Sequence, residues 1–230
     1  MTYKKMTSNA KNRRVHILLL LVLGMIFSSL PADGSVHSSQ NIQVPRLALA
    51  KGSVATVKVI NTYPHDEKAF TQGLFFHRGK FYESTGLYAN SALLMKDIKT
   101  GRPLREIKID PEYFGEGAVG LKNKIFQLTW RNETLIVYDA GTFRKIKKIK
   151  YSGEGWGLTT DGEHLLMSNG SSIITYRNPD TFKVIREIKV HDGDQVIEGL
   201  NELEFIKGEI WANIFMEDLM VSIDPVCGKV

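Results

Sequence analysis

Glu116 stands between glycines in the run Phe114-Gly115-Glu116-Gly117. Glycines leave a carboxyl little side-chain cover and let the backbone turn sharply around it. If such a carboxyl faces an apolar channel, loss of water raises its pKa toward neutrality, which suits a group that takes up a proton and returns it. The competing reading of a lone Glu in a turn is a solvated surface carboxylate. What argues for chemistry is position: Gln72, Trp156 and Asn201 occupy the same place as Glu116 at the head of an apolar run. The side-chain amides of Gln72 and Asn201 each offer two donors and an acceptor, enough to hold a carbonyl or an amide, or merely to stabilise a turn. Trp156 lies between Gly155 and Gly157, and Trp130 closes Leu128-Thr129-Trp130. A Trp between two glycines has few local packing partners, which favours a recognition surface over core packing. Phe70 and Phe215 extend the set to an aromatic wall, although either alone reads as core. His65 precedes Asp66, but the other histidines, among them His16, His77, His164 and His191, show no ligand spacing, so no metal site is expected. Phosphate-cradling loops, nucleophile elbows and Cys/His constellations are absent from the sequence.

The elements that must position these residues repeat. Gly73, Gly117, Gly157 and Gly199 are 44, 40 and 42 residues apart. Each heads an apolar strand, followed by a short turn (Arg78-Gly79, Lys122-Asn123, Asp161-Gly162, Lys207-Gly208) and by further alternating strands. A period of about 40 residues with several strands per unit predicts an all-β fold, a β-propeller. In a propeller the first strand of each blade lines the central channel, so Gln72, Glu116, Trp156 and Asn201 are expected to meet at one mouth. Ala55–Thr62 reads as an outer strand supplied from the N-terminal side. Val230 falls where the last strand of the fourth blade should begin. About four blades with an incomplete ring are therefore expected, because closure pairs the last blade with the first.

Residues 1–32 read as a signal peptide: Lys4, Lys5, Lys11, Arg13 and Arg14 precede an apolar run from Val15 to Phe27 and a small-residue exit. That run is short of the about 20 apolar residues of a membrane span. Residues 33–55 read as a linker and 56–230 as the propeller domain. The expected location is secreted or periplasmic, with no membrane association after cleavage. The full chain carries 30 basic and 25 acidic residues, but the leader holds five basic and no acidic ones. The remainder is formally neutral, which removes the charge argument for nucleic acid. Cys227 is the only cysteine, so no internal disulfide can form. It lies in a turn-like Asp-Pro-Val-Cys-Gly stretch where the repeat favours Thr, an unpromising place for a nucleophile.

Composition and spacing reach an exported propeller with an aromatic, carboxylate-bearing mouth. Six segments go further: residues 65–74 with Phe70-Thr71-Gln72-Gly73-Leu74, Tyr82-Glu83-Ser84-Thr85-Gly86, Tyr113-Phe114-Gly115-Glu116-Gly117, Gly155-Trp156-Gly157-Leu158, Leu200-Asn201-Glu202-Leu203 and Ile210-Trp211-Ala212-Asn213-Ile214. In this order they resemble the plant-type glutaminyl-peptide cyclotransferases, also found in bacteria. The resemblance implies a propeller of the five-bladed type and conversion of N-terminal glutamine of peptides to pyroglutamate with loss of ammonia. It implies Glu116 as proton shuttle and Asn201 as a second catalytic residue holding the substrate. Gln72, Phe70, Trp130, Trp156 and Phe215 would line the pocket, with no cofactor or metal and a monomeric protein. Phe215 stands where the family carries a further Trp, a mild change that keeps an aromatic face. The family's fifth blade brings a Lys in Gly-Lys-Leu-Trp-Pro, a motif beyond the span of this sequence. The alternative expectation is a non-catalytic propeller, or inactive fragment, that binds peptides through the same mouth.

Overall fold

The computed structural model describes residues 3–8, 17–19 and 57–230, and these form strands joined by turns and loops, without a helix. The remainder of the leader and the linker lie outside the described residues. On the N-terminal side, β1 (Tyr3–Ser8) pairs with β2 (Ile17–Leu19) and β3 (Val57–Tyr63) in one antiparallel sheet. The strand expected at residues 55–62 is thus present as β3, but its partner is β1 and not the outer edge of a blade. Backbone donors and acceptors need partners, and here β1 supplies them.

Four antiparallel blades follow. The first is β4 (Thr71–His77), β5 (Lys80–Thr85), β6 (Ala92–Lys96) and β7 (Pro103–Lys108). The second is β8 (Gly115–Leu121), β9 (Lys124–Thr129), β10 (Thr134–Asp139) and β11 (Arg144–Lys150). The third is β12 (Leu158–Thr160), β13 (Leu165–Met167), β14 (Ile173–Arg177) and β15 (Val184–Lys189). A small hairpin, β16 (His191–Asp192) with β17 (Gln195–Val196), leads into a three-stranded blade of β18 (Leu200–Ile206), β19 (Glu209–Ile214) and β20 (Met220–Ile223). That hairpin is not visible in the periodicity, because two residues per strand are too few to alternate.

Turn chemistry fixes the hairpins locally. Arg78-Gly79 and Lys207-Gly208 both have positive φ at both central residues, the primed turn whose twist matches paired strands. The loop from third to fourth strand uses one device repeatedly. The side-chain oxygens of Asp97, Asp139 and Asn178 accept from the backbone N–H of Thr100, Thr142 and Thr181. Asp224 does the same for Cys227 at 3.1 Å, so Cys227 occupies the Thr position of the repeat, as a turn residue.

The core lies between blades. Tyr82, Leu93, Ile125 and Tyr138 are buried where the first blade meets the second; Phe126, Leu128, Leu165 and Phe182 where the second meets the third. Leu166, Ile174, Leu203 and Ile210 are buried between third and fourth. Each such side chain contributes about 1.5–3 kcal/mol by leaving water. Glycines let the inner strands approach this closely. A Cβ on Gly73 would lie 2.6 Å from Ala118 N, one on Gly117 2.5 Å from Trp156 O, and one on Gly157 2.1 Å from Asn201 O. The register shows that the fourth member of this series is Glu202 and not Gly199. Leu74, Ala118, Leu158 and Leu203 face Glu83, Gln127, Met167 and Ala212 on their second strands, so Gly73, Gly117, Gly157 and Glu202 are equivalent. Gly199 has φ +77° and serves the turn before β18.

Candidate active site

The candidate residues sit where the inner strands are irregular. The β4–β5 pairing shifts register between Thr71 and Gly73, the β8–β9 pairing between Gly115 and Ala118, and the β18–β19 pairing between Leu200 and Leu203. Those shifts enclose Gln72, Glu116 and Asn201. A bulge at a strand's start re-aims its side chain out of strict alternation, and three blades use it at the same point. Trp156 lies two residues before the start of β12, its backbone N–H donating to Ser168 O at 3.1 Å.

Neighbouring blades lock these irregular backbones. Ser84 Oγ of the first blade donates to Glu116 O, and Gly117 N of the second donates to Trp156 O at 2.7 Å. Ser168 Oγ of the third donates to Asn201 O at 2.6 Å while accepting from Gly157 N at 2.8 Å. In the fourth, Asn213 Oδ1 accepts from Glu202 N at 2.9 Å. Gln127 Nε2 donates to Ser84 Oγ at 2.8 Å, and Tyr138 Oη to Gln127 Oε1 at 2.6 Å, extending the lock into the core.

Glu116 is 5% exposed. Gln72 Nε2 donates to its Oε2 at 2.8 Å, joining two of the expected site residues directly. Burial raises the Glu116 carboxyl well above the usual carboxylate range; the Gln72 hydrogen bond opposes this, and the charge of Glu154 adds to it. Glu202 and Glu204 are pushed up as well, chiefly by burial, Glu204 to about 8. Glu116 adds to the rise at Glu202, which places Glu202 within electrostatic reach of it.

Aromatic rings edge the mouth in two groups. Phe114 packs against Phe70 (centroids 6.0 Å apart), Trp130 (5.6 Å) and Tyr88 (5.5 Å). Trp156 meets Phe215 edge-on at 5.2 Å. Gly86 and Gly170 make room: a Cβ on Gly86 would lie 2.4 Å from the Phe114 ring, and one on Gly170 2.7 Å from Trp156. The structure thus brings together Phe70 with Trp130 through Phe114, Trp156 with Phe215, and Gln72 with Glu116. Asn201 joins by its backbone, which touches Gly157 and Ser168.

Sequence reasoning missed Phe114, Ser84, Ser168 and Glu154. Phe114 and Ser84 lie in segments that carry the resemblance without being singled out, and for Glu154 the signal was that Gly153-Glu154-Gly155 repeats the Gly115-Glu116-Gly117 pattern.

Residues 32–230 match the family described as glutamine cyclotransferase. A glutaminyl-peptide cyclotransferase of Arabidopsis thaliana is 38% identical over 175 residues, covering 75% of this chain and 55% of that protein. The chain therefore spans about half the length of this curated relative. The crystal structure of a Myxococcus xanthus glutaminyl cyclase superposes with a TM-score of 0.71 at 35% identity, over 75% of this chain and 73% of that one. A Bacteroides caccae protein of unknown function shares the fold alone, at a TM-score of 0.54 and 15% identity, over 76% and 72% of the two chains.

Proposed function

The chain belongs to the glutamine cyclotransferase family, and on that premise we propose that it is a glutaminyl-peptide cyclotransferase acting on peptides with an N-terminal glutamine. The observation that carries this reading is the buried Glu116 carboxyl, hydrogen-bonded to Gln72 within an aromatic mouth.

The reaction asks little of a protein beyond shape and one mobile proton. The neutral α-amine attacks the δ-carbon of its own side-chain amide, forming the ring C–N bond. The bond from that carbon to the amide nitrogen breaks, and the nitrogen leaves as ammonia. The attacking amine sheds a proton and the departing nitrogen gains one, so a single carboxyl can serve both steps. Glu116 as carboxylate takes the proton; as carboxylic acid it returns it. A raised pKa makes the carboxylate a better proton acceptor and the acid easier to retain, and such acid–base help is worth about 10²–10⁴-fold. Gln72 orients the carboxyl through Oε2. Asn201 holds the substrate by its amide, and Phe70, Trp130, Trp156 and Phe215 keep the chain end folded and water out. The basic, then apolar leader supports a secreted or periplasmic location and action on exported peptides, with β3 giving up its β1 partner when the leader is cleaved.

Ammonia release from a glutamine-initiated dipeptide tests the reading. Turnover by the purified protein, reduced about 10²–10⁴-fold in Glu116→Gln, is expected. A folded protein without turnover would sink it and leave a non-catalytic peptide-binding propeller.

A further inference from the structure

The two aromatic groups of the mouth come from different blades, and one carboxylate joins them. Glu154 Oε2 accepts from Trp130 Nε1 at 2.7 Å and from Trp156 Nε1 at 3.0 Å. Its Oε1 accepts from Arg131 Nε at 3.0 Å, and the Arg131 guanidinium lies 3.8 Å from the centroid of the Trp130 ring. An indole has a single polar atom, a donor. Here both donors are spent on one oxygen, which ties the in-plane rotation of each ring to the other.

Among the described residues, Glu154 is the hydrogen-bond partner found for the Trp156 indole. Gly155 and Gly157 give its backbone no side-chain neighbour, so the ring is held by packing against Gly170 and Phe215 on its faces and edge, and by Glu154 at its one polar atom. The same carboxylate oxygen holds the polar atom of Trp130.

We propose that Glu154 is the positioning residue of the pocket: held by Arg131, it fixes both indole walls at the spacing that folds a glutaminyl chain end. The inference rests on the cyclotransferase reading and extends it to a residue away from the reacting atoms. The same carboxylate acts on Glu116 through its charge, which adds to burial in raising the Glu116 carboxyl. Glu154 itself stays ionised: burial pushes it up, but the bonds from Trp156, Arg131 and Trp130 outweigh that and hold it below the usual range. The charged groups that face this pair are Arg131 on Glu154 and Glu202 on Glu116.

Two readouts on the full-length protein test this, one independent of turnover. Intrinsic tryptophan fluorescence of the wild type is expected to step as pH falls below the usual carboxylate range, where Glu154 gains a proton and the indole bonds weaken. Glu154→Gln, which keeps the shape and an acceptor oxygen but loses the charge, is expected to lack that step. Identical traces would overturn the proposal whether or not the protein is a cyclotransferase. On the glutamine-initiated dipeptide, Glu154→Ala is expected to lose about 10–100-fold in kcat, with a smaller change in KM. In Glu154→Gln the acid limb of the kcat profile is expected to move to lower pH, because Glu116 loses a like charge. Wild-type kcat, KM and acid limb in both variants would overturn it. Absence of wild-type turnover removes the cyclotransferase reading, and the fluorescence comparison then decides alone. Should Glu154→Ala fail to fold, Glu154→Gln carries both readouts.

Discussion

Glu83, on the second strand of the first blade, and Glu116, on the inner strand of the next, are both buried glutamates, 0% and 5% exposed. Their surroundings are opposite. Glu83, on β5, receives Lys96 Nζ at 2.6 Å, lies 2.7 Å from His65 Nε2 and accepts from Thr71 Oγ1. Glu116 receives one neutral amide, from Gln72, and faces the carboxylate of Glu154. Burial pushes both carboxyls up. At Glu83 the His65, Lys96 and Thr71 contacts outweigh it and the pKa falls below the ordinary value; at Glu116 burial wins and the pKa rises well above it. One is a standing anion that ties the loop carrying Phe70 to the first blade. The other is a carboxyl that burial favours in its protonated form. The difference lies in the partners and not in the depth, since a cation within hydrogen-bond reach is what makes a buried charge tolerable.

That comparison can be broken most severely at Glu116. In Glu116→Gln, ammonia release is expected to fall about 10²–10⁴-fold, while the thermal midpoint stays level or rises, since the variant removes a carboxyl whose ionisation burial disfavours. Glu83→Ala should do the reverse and cost stability, about 3–5 kcal/mol in urea unfolding, because the buried Lys96 ammonium loses its ion pair with Glu83. Replacing the pair together, Glu83→Gln with Lys96→Met, is expected to recover most of that loss. If the single and double variants unfold alike, Glu83 is not the standing anion described here. A smaller effect, about 1–3 kcal/mol, is expected for Gly117→Ala. Its Cβ would press on Trp156 O and push apart the second and third blades, so both stability and turnover should drop.

The finest test is the pH dependence of stability, where the two carboxyls have opposite signs. Glu83 has a depressed pKa, so its contribution is full above the ordinary carboxylate value and is lost as pH falls through the depressed one. Glu116 has a raised pKa, so between the ordinary and the raised value only the folded state holds its proton, and stability falls as pH rises through that window. Each acts with a slope of up to about 1.4 kcal/mol per pH unit. Unfolding midpoints across pH should show a shallower acid-side slope in Glu83→Gln and a shallower higher-pH slope in Glu116→Gln, where Glu202 and Glu204 keep contributing. An unchanged profile in either variant would contradict the assignment for that residue.

Much of this architecture was legible beforehand because it depends on near neighbours. The Arg78-Gly79 and Lys207-Gly208 turns and the alternation along β9 and β10 are short-range signals, and they place four blades in order. The glycine series misled at its last member. Counting from Gly157 finds Gly199, 42 residues on, whereas strand pairing makes Glu202 the equivalent; a spacing rule cannot register a bulge. Ser168 gave no signal and Ser84 none beyond its place in a resembling segment, since what matters about them is a carbonyl on the next blade. Glu154 did leave one, the second Gly-Glu-Gly, but its meaning depends on two indoles, one of them 24 residues away.

By itself, then, the sequence determined the strand order, the blade period and which residue types would stand at the head of each inner strand, because alternation and turn preference act within a few residues. Only the tertiary structure decided which glutamate is held below the ordinary carboxylate pKa and which is pushed above it. Those states follow from Gln72 meeting Glu116 across 44 residues, Lys96 meeting Glu83 across 13, and Glu154 meeting Trp130 across 24. Ionisation inside a protein is set by burial and by the groups that arrive in space, and no local pattern in the chain carries that information.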